Sequence, residues 1–369
     1  MYPTCRTFQP TFRKQVMLRR YRGLGNRLAL LNDSVEEVVL GTYDSVADRM
    51  TGYDSKRASF RLDGNDYERA IATEPECRDR NVQRFGDRTV CMATNQSDTF
   101  DIGSETVNRL GFGAMRLCGE NIIGRPDDEE AAREVAREAV SVGVDFIDTA
   151  DSYGPGTSER LLQEAGVVDD AFVATKGGLL RNHDGDWLPL GDPDYLHNAA
   201  LASLDRLGVD SIDLYQLHRP GPDTEFEESV TALAGLKDDG LVENVGLSNV
   251  SVEQLETARD HVEIATVQNQ YNLVDRDHED VLEACESAGI GFIPYFPIGA
   301  GDLDEKADIV DDVAGAHDAS RYQIALAWLL GRSDVTLPIP GTSSVEHLRE
   351  NVAASQIDLS EDELARLGE

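Results

Sequence analysis

Short apolar runs alternate with longer amphipathic runs from about residue 100 to the end of the chain. The short runs are rich in Val, Ile, Leu and Phe, as buried strands are, and the longer runs repeat their apolar residues at helical spacing. Strand candidates occur at residues 110–113, 146–148, 172–175, 212–217, 242–247, 266–268, 291–295 and 336–339. Helix candidates occur at residues 127–142, 159–165, 194–207, 225–239, 252–261, 277–288, 321–330 and 345–354. Eight strand–helix units over about 250 residues predict an α/β fold of the (β/α)8 TIM barrel type.

A doubly wound parallel sheet is the alternative that the same alternation allows. A nucleotide-binding sheet of that kind has a G-x-G-x-x-G turn after its first strand. The sequence Gly111-Phe112-Gly113 lacks the third glycine, and so does Gly23-Leu24-Gly25, which precedes the alternating region. The barrel is therefore the preferred prediction. Ahead of its first strand, two short runs around Gly103-Ser104 predict a β-hairpin over residues 100–108 that could plug the barrel floor.

The acidic residues are concentrated in the second part of the chain. The sequence has 34 Lys and Arg against 69 Asp and Glu, a formal charge of −35. Residues 1–91 contain 16 Lys and Arg against 13 Asp and Glu, whereas residues 92–369 contain 18 against 56. This charge repels phosphate backbones, which argues against nucleic-acid binding, and no run approaches the ~18 apolar residues of a membrane span. Abundant carboxylates and scarce lysines predict a halophilic protein, because concentrated salt screens the self-repulsion.

Residues 1–91 differ from the rest of the chain in charge and pattern. The first 30 residues carry seven basic side chains and no acidic one. They are not Ser-rich, as a transit peptide is, and they lack the apolar core of a secretory signal. Two interpretations are open: a disordered extension, or an upstream stretch that is not translated because the natural start is Met92. In both cases residues 92–369 are predicted to form the barrel as one domain.

The five cysteines are widely spaced and include no C-x-x-C pair. Scattered thiols in an odd number predict a reducing compartment, so we expect a cytoplasmic protein without disulfides. The segment His183-Asp184-Gly185-Asp186 lacks the length and the final Glu of a calcium loop, and no metal site is predicted. Trp187, which follows it, either covers a substrate pocket or packs on the barrel rim.

Polar side chains follow the strand candidates at their carboxyl ends, where barrel enzymes carry their active sites. Four of these residues are Asp148, Tyr153, Lys176 and His218. A lysine cation close to the tyrosine should lower its pKa from about 10, and Asp148 should pair with the lysine, whose burial is otherwise costly. The histidine could orient a carbonyl oxygen. This group predicts reduction of an aldehyde or ketone, in which hydride reaches the carbon and Tyr153 donates a proton to the oxygen.

Six motifs, in the same order along the chain, resemble those of the aldo/keto reductases. They are Phe-Ile-Asp-Thr-Ala-Asp-Ser-Tyr-Gly at 146–154, Ala-Thr-Lys at 174–176, Leu-Tyr-Gln-Leu-His at 214–218, Gly-Leu-Ser-Asn at 246–249, Val-Gln-Asn-Gln-Tyr-Asn at 267–272 and Ile-Pro-Gly-Thr-Ser-Ser at 339–344. The resemblance runs from about Asn108 to Asn351. The segments 109–115, 295–299 and 340–351 resemble the pyridoxal reductase-like branch more closely.

The resemblance implies an NAD(P)H-dependent oxidoreductase and assigns roles to individual residues. The residues that match the catalytic tetrad are Asp148, Tyr153, Lys176 and His218. The residues that match the nicotinamide end of the cofactor site are Ser248, Asn249, Gln268 and Tyr295, the last of which stacks on the ring. The residues that match the adenosine end are Gly341, Thr342, Ser343, His347, Glu350 and Asn351.

The sequence departs from the commonest family pattern at the adenosine end. Many members carry Lys at the position of Gly341 and Arg at that of His347, where these charges bind the 2′-phosphate of NADP. Here the resemblance leaves Ser343, His347 and Arg349 to supply hydrogen bonds. We expect NADP as the cofactor, with NAD as the alternative.

The expected partner is a small-molecule carbonyl substrate, and the most specific form of the hypothesis is a pyridoxal-like aldehyde. No nucleic-acid or membrane partner is expected. Two alternatives are open: a broad-specificity aldehyde/alcohol oxidoreductase, and a sensor or regulatory subunit that binds the nicotinamide cofactor with negligible turnover. The complete tetrad argues against the sensor, because a protein that only binds the cofactor has no need of Lys176 or His218.

Overall fold

The structure is a computed structural model that describes residues 99–299, 303 and 306–368, together with the backbone of four strands that precede them. The chain divides into two compact units, residues 1–79 and 80–369. In the first unit, β1 (Arg27–Leu31) pairs antiparallel with β2 (Val38–Thr42). The two interpretations of residues 1–91 fall mainly outside the described residues. The domain boundary at Met92 therefore stays a prediction.

Two antiparallel hairpins open the second unit. The first joins β3 (Asn81–Phe85) to β4 (Arg88–Met92). The second joins β5 (Thr99–Ile102) to β6 (Glu105–Asn108). The second hairpin has the position that the sequence predicts.

The β5–β6 hairpin lies at the amino ends of the barrel strands. Ile102 and Val107 are buried in one apolar cluster with Phe146 and Leu214, which belong to barrel strands. The backbone N–H of Asn108 donates to the Asp145 carboxylate at 2.8 Å, immediately before one of these strands begins. The hairpin therefore covers the floor of the barrel and leaves the opposite end open.

The strands that follow build a parallel sheet with one inserted hairpin. Their bounds are β7 (Phe112–Gly113), β8 (Phe146–Asp148), β9 (Phe172–Gly177), β10 (Leu179–Arg181), β11 (Trp187–Pro189), β12 (Ile212–Leu217), β13 (Val242–Ser248), β14 (Ile264–Gln270) and β15 (Gly291–Tyr295). The sheet has seven strands in the order β7-β8-β9-β12-β13-β14-β15, and β10 pairs only with β11. Six of the eight strand predictions coincide closely with these strands, and β7 is shorter than predicted.

Residues 335–341 take the place of the eighth strand and close the barrel. On one side, the carbonyl of Pro340 accepts from the Gly113 N–H at 3.3 Å. On the other side, the backbone of Phe292 donates to and accepts from this segment, both at 2.8 Å. The segment forms isolated bridges rather than the predicted regular strand, because Pro338 and Pro340 have no N–H to donate. The (β/α)8 TIM barrel is nevertheless confirmed.

Helices surround the sheet and connect its strands. Their bounds are α1 (Glu129–Ser141), α2 (Thr157–Ala165), α3 (Pro193–Leu207), α4 (Phe226–Asp238), α5 (Val252–Arg259), α6 (Glu279–Ala288), α7 (Ala307–His317), α8 (Arg321–Arg332), α9 (Val345–Ala353) and α10 (Glu361–Gly368). The predicted helices are present with ends within two residues of those expected, and α7 and α10 are additions to the prediction. No helix in the described part of the chain is both long and apolar enough to cross a membrane.

Side-chain caps begin helices α5 and α3. Ser251 caps α5 with a complete capping box, since its side chain and that of Gln254 each bond the backbone of the other. At α3 the side chain of Asp192 accepts from the Tyr195 N–H at 2.9 Å. Pro193 follows this cap and suits the first helical position, because its missing N–H needs no partner there.

Candidate active site

A cavity of about 810 Å³ opens at the carboxyl ends of the barrel strands. Of the residues that the sequence analysis assigned to a site, those lining this barrel-mouth cavity are Asp148, Tyr153, His218, Ser248, Asn249, Gln268, Tyr295, Gly341, Thr342, His347, Glu350 and Asn351. Lys176 is fully buried beneath it. Ser343 is exposed on the surface and is not part of the lining. The fold therefore gathers all but one of the predicted residues at one end of the barrel.

Asp148 and Lys176 form a buried ion pair on neighbouring strands. Asp148 ends β8 and Lys176 lies near the end of β9, so the parallel register places their side chains together. The lysine Nζ donates to Asp148 Oδ1 at 2.6 Å and to the Thr149 carbonyl at 2.8 Å. Burial lowers the pKa of Lys176 from its ordinary value, and the Asp148 carboxylate counteracts this shift. The predicted partnership is present.

The second oxygen of Asp148 is bonded to two glutamines. Gln268 Nε2 donates to Asp148 Oδ2 at 2.8 Å, and Gln216 Nε2 approaches the same oxygen at 3.3 Å. Gln268 was expected to hold the nicotinamide carboxamide, and in this structure its amide nitrogen is bonded to Asp148. Gln216 was not predicted as a site residue. The two glutamines restrict the orientation of Asp148 and thereby that of the lysine that it holds.

Tyr153 lies beside the buried pair and is 8% exposed. Lys176 Nζ is 5.3 Å from the centre of the tyrosine ring. Burial raises the pKa of Tyr153 well above its ordinary value, and the Asp148 carboxylate raises it further. This is the opposite of the expected decrease, because the charge of Lys176 is balanced by Asp148 and cannot outweigh desolvation. The tyrosine is therefore protonated at neutral pH.

His218 follows β12 and contacts the tyrosine edge to face, with ring centres 5.8 Å apart. Its Nδ1 lies 3.4 Å from Ser152 Oγ. Burial lowers the pKa of His218 well below its ordinary value, and the cations of Lys176 and Arg219 act in the same direction. The imidazole is therefore neutral. In the tautomer whose Nδ1 accepts from the Ser152 hydroxyl, the Nε2–H is a hydrogen-bond donor.

Asn249 organises the next part of the cavity wall. Its backbone is left-handed, with φ 58°, which turns the chain sharply after β13. Its amide nitrogen donates to the His218 carbonyl at 3.0 Å and to Ser248 Oγ at 2.9 Å. Its amide oxygen accepts from Tyr295 at 2.8 Å and from Arg219 at 3.2 Å. Three of the residues predicted at the nicotinamide end are thus joined in one hydrogen-bonded group.

Gly341 and the start of α9 form the opposite wall. Ser344 caps α9 by accepting from the His347 N–H at 3.4 Å, and its own N–H donates to Thr342 Oγ1 at 3.0 Å. Gly341 approaches β7 so closely that a Cβ atom there would lie 2.9 Å from the Gly113 carbonyl oxygen. A lysine at this position, as many family members have, would need the two segments to move apart.

The inserted β10–β11 hairpin supplies the rim of the cavity. Trp187 lines the cavity, and its ring meets Tyr153 edge to face at 6.4 Å between centres. The guanidinium of Arg181 lies 3.8 Å from the centre of the indole and donates to the Asn121 carbonyl at 3.0 Å. Of the two interpretations of Trp187, the structure favours a cover over the cavity.

The sequence profile of the aldo/keto reductase family matches residues 109–369. The chain belongs to the aldo/keto reductase family. Among curated proteins, an uncharacterized oxidoreductase of Schizosaccharomyces pombe is 46% identical over 276 residues, 74% of this chain and 90% of the relative. A pyridoxine 4-dehydrogenase of Escherichia coli is 42% identical over 280 residues, 73% of this chain and 97% of the relative.

Solved structures agree with this relationship. An aldo/keto reductase from Klebsiella pneumoniae in complex with NADP and acetate has a TM-score of 0.64 at 28% identity, over 73% of this chain and 94% of that one. Another Klebsiella pneumoniae structure, in complex with NADPH, has a TM-score of 0.63 at 29% identity, over 73% and 93%. The aldo/keto reductase described here is thus an NAD(P)-dependent oxidoreductase, and its resemblance to the pyridoxal reductase-like branch is confirmed.

Among the polar residues of the cavity of this aldo/keto reductase and the side chains bonded to them, Arg116, Gln216 and Arg219 were not expected from the sequence. Arg219 directly follows His218, and Gln216 precedes it by two positions on β12. Both could have been found from the rule that strand ends carry function. Arg116 lies in the short turn Ala114–Leu117 after β7, where no motif distinguishes it from a surface arginine.

Proposed function

We propose that this aldo/keto reductase reduces the carbonyl group of a small aldehyde or ketone, with Tyr153 as the proton donor. The observation that carries the proposal is the placement of a buried, protonated tyrosine at the cavity beside the Asp148–Lys176 pair. NADPH, when bound, supplies the hydride. Because the pKa of Tyr153 is raised, its hydroxyl is protonated at neutral pH and has a proton to donate to the carbonyl oxygen.

The neighbouring residues have distinct positioning roles in this proposal. Neutral His218 offers its Nε2–H to the carbonyl oxygen and so orients it towards the Tyr153 hydroxyl. The ammonium of Lys176, close to the tyrosine ring, stabilises the negative charge that Tyr153 acquires when it gives up its proton. Asp148 holds that ammonium in place from below. Water is restricted on the open side by Trp187.

The cavity fits a nicotinamide dinucleotide because it extends from the tetrad to the start of α9. At the nicotinamide end, the residues that would hold the cofactor are Ser248, Asn249, Gln268 and Tyr295. At the adenosine end they are Gly341, Thr342, His347, Glu350 and Asn351, and Ser343 lies on the surface next to Thr342. The cofactor is NADP, in agreement with the NADP complexes of the Klebsiella pneumoniae structures, and NAD is the alternative.

A pyridoxal-like aldehyde is the proposed substrate. Its support is the 42% identity to a pyridoxine 4-dehydrogenase, which covers nearly all of that relative. An aromatic aldehyde would find Trp187 and Phe296 at the rim of the cavity. The alternatives are a broad-specificity aldehyde/alcohol oxidoreductase and a cofactor-binding sensor with negligible turnover.

The test is oxidation of NADPH and NADH by the full-length protein with a panel of aldehydes that includes pyridoxal. For Tyr153→Phe we expect turnover to fall about 100-fold or more with cofactor binding unchanged. Tyr195→Phe, which removes a half-buried hydroxyl outside the cavity, is the matched control. A Tyr153→Phe variant as fast as the parent would show that another group is the acid. Tight cofactor binding without turnover of any carbonyl would favour the sensor.

We further propose that the protein works in a halophilic cytoplasm and that residues 92–369 carry the activity. The charge of −35 supports the first part, since carboxylates in this excess suit molar salt. The second part is supported by the cavity, whose lining residues all lie between Gly113 and Asn351.

A further inference from the structure

Among the residues that the structure describes, two arginines that line the barrel-mouth cavity have no carboxylate partner. Arg219 bonds the amide oxygen of Asn249 and the Tyr295 hydroxyl, and the Arg116 side chain makes no hydrogen bond or ion pair with any described residue. Other arginines of the described barrel form ion pairs, among them Arg125–Glu164, Arg133–Glu130, Arg206–Glu159, Arg321–Asp311 and Arg349–Glu138. In a chain with 69 carboxylates against 34 cations, an unpaired arginine in a cavity is a candidate for binding an anion.

Arg116 lies next to the cavity wall that Gly341 and the start of α9 form, here called the α9 wall. The backbone bridge between Gly113 and Gly341 brings the turn that carries Arg116 against the start of this wall. The Cγ atom of Arg116 lies 3.6 Å from the point that a Cβ atom on Gly341 would occupy. Because Gly341 has no side chain, the exposed guanidinium of Arg116 has free access to the cavity beside Thr342.

The other charged groups on this wall make Arg116 the strongest anion-binding candidate there. Arg321 also lines the cavity, but its guanidinium is bonded to both oxygens of Asp311. His347 lines it as well, and the carboxylate on this side is that of Glu350. Guanidinium groups bind phosphate through two parallel hydrogen bonds, which a single histidine cannot match.

We infer that Arg116 binds a phosphate group of the dinucleotide cofactor. The inference rests on the proposed use of NADP, which carries a pyrophosphate and a 2′-phosphate. Both offer the same chemistry to a guanidinium, and NADH lacks only the 2′-phosphate. Arg116, on the turn after β7, would thus supply the positive charge that a lysine at the position of Gly341 supplies in many family members.

The experiment measures the dissociation constants of NADPH and NADH by titration calorimetry on the full-length chain. For Arg116→Gln we expect the NADPH constant to rise about 10- to 100-fold, since hydrogen bonds to charged groups are lost. Arg116→Lys should recover part of the affinity, because it keeps the charge but not the paired donors. The matched control is Arg160→Gln, which should bind as the parent does. Arg160 is an exposed residue of α2 outside the cavity, without a carboxylate partner among the described residues.

The two phosphate sources are separated by the NADH titration. A loss confined to NADPH assigns the 2′-phosphate to Arg116, and an equal loss for both nucleotides assigns the pyrophosphate. Unchanged constants for both nucleotides in Arg116→Gln overturn the inference while the proposed function stands. A parent chain that binds neither nucleotide overturns the cofactor assignment itself, and with it this inference. Circular dichroism of each variant checks that the fold is retained.

Discussion

Asp148 receives hydrogen bonds from Lys176, Gln216 and Gln268, which come from three other strands of the barrel. A buried carboxylate with all of its donors in place is rigid, and it transfers that rigidity to the lysine beneath Tyr153. The position of Lys176 beside Tyr153 therefore depends on strands β9, β12 and β14 as well as on β8. Burial raises the pKa of Tyr153, and the Asp148 carboxylate that balances Lys176 raises it further.

Asp151 lies three residues after Asp148, and the titration of its carboxyl group should change the free energy of unfolding with pH. Burial raises the pKa of Asp151 to about 7, and the charge of Glu159 contributes in the same direction. The folded state therefore holds this proton more tightly than the unfolded chain, whose Asp has a pKa of about 3.9. By linkage, Asp151 lowers the free energy of unfolding progressively as the pH rises from about 4 to about 7.

The prediction for Asp151→Asn is a change in the pH dependence of unfolding. The free energy of unfolding of the parent minus that of the variant should be smaller at pH 8 than at pH 5. Urea denaturation of both proteins at both pH values measures this difference. Asp170→Asn, which alters an exposed carboxylate without a side-chain bond, is the control. A parent-to-variant difference that is the same at both pH values for Asp151→Asn would contradict the raised pKa.

Among the elements of the fold, the segment 335–341 both closes the barrel and contributes Gly341 to the cavity wall. Its prolines replace a regular strand by separate bridges, and its last residue passes within contact distance of β7. The inserted β10–β11 hairpin has the complementary position at the rim, where Arg181 ties Trp187 to the loop that contains Asn121. Closure and access are thus controlled by two short elements rather than by the helices.

Gly341→Ala tests the closing segment. The added Cβ would lie 2.9 Å from the Gly113 carbonyl oxygen, so the backbone must shift and the free energy of unfolding should fall by about 1–3 kcal/mol. Gly235→Ala in α4 is the control, because no atom lies within 4 Å of its added methyl group. This control should be stabilised by about 0.5–1 kcal/mol. Urea denaturation measures both, and equal stability of the two variants would contradict the close approach.

For the whole molecule, net charge should dominate the response to salt. Raising KCl from 0.1 to 1 M shortens the screening length from about 10 Å to about 3 Å. Repulsion among the excess carboxylates is then reduced, so we expect the thermal unfolding midpoint to rise. Ion pairs such as Arg125–Glu164 weaken under the same conditions and would lower it. A midpoint that falls or stays constant between the two salt concentrations would count against a halophilic protein.

Removal of residues 1–91 should leave the activity intact. The cavity lining begins at Gly113, and the β5–β6 hairpin that covers the barrel floor lies within the remaining chain. We expect residues 92–369 to match the turnover of the full chain in the NADPH assay. The contrasting truncation removes residues 1–108 and exposes the neighbours of Ile102 and Val107, at a cost of about 1.5–3 kcal/mol for each side chain. Loss of turnover in the 92–369 chain would place part of the active protein upstream of Met92.

The barrel, the hairpin at its floor and the end of the barrel that carries the candidate site could all be predicted from the sequence alone. Strand and helix periodicity are local properties, so strands such as β12 and β15 have the same bounds in the prediction and in the structure. The rule that function lies at strand ends then located Asp148, Tyr153, Lys176 and His218 without knowledge of the distances between them. The Asp148–Lys176 pair was foreseeable because a buried lysine needs a counter-charge.

The hydrogen bonds and charges that couple those residues could not be predicted from the sequence. Gln268 and Asp148 are 120 residues apart in the chain, and no local pattern reveals that their side chains bond. The pKa of Tyr153 depends on the balance between desolvation and several surrounding charges, which needs their positions and not only their identities. Arg116 likewise became a candidate for anion binding only through the barrel closure that brings it close to Gly341. Periodicity is encoded within a few residues, whereas electrostatics and close packing arise where distant segments meet.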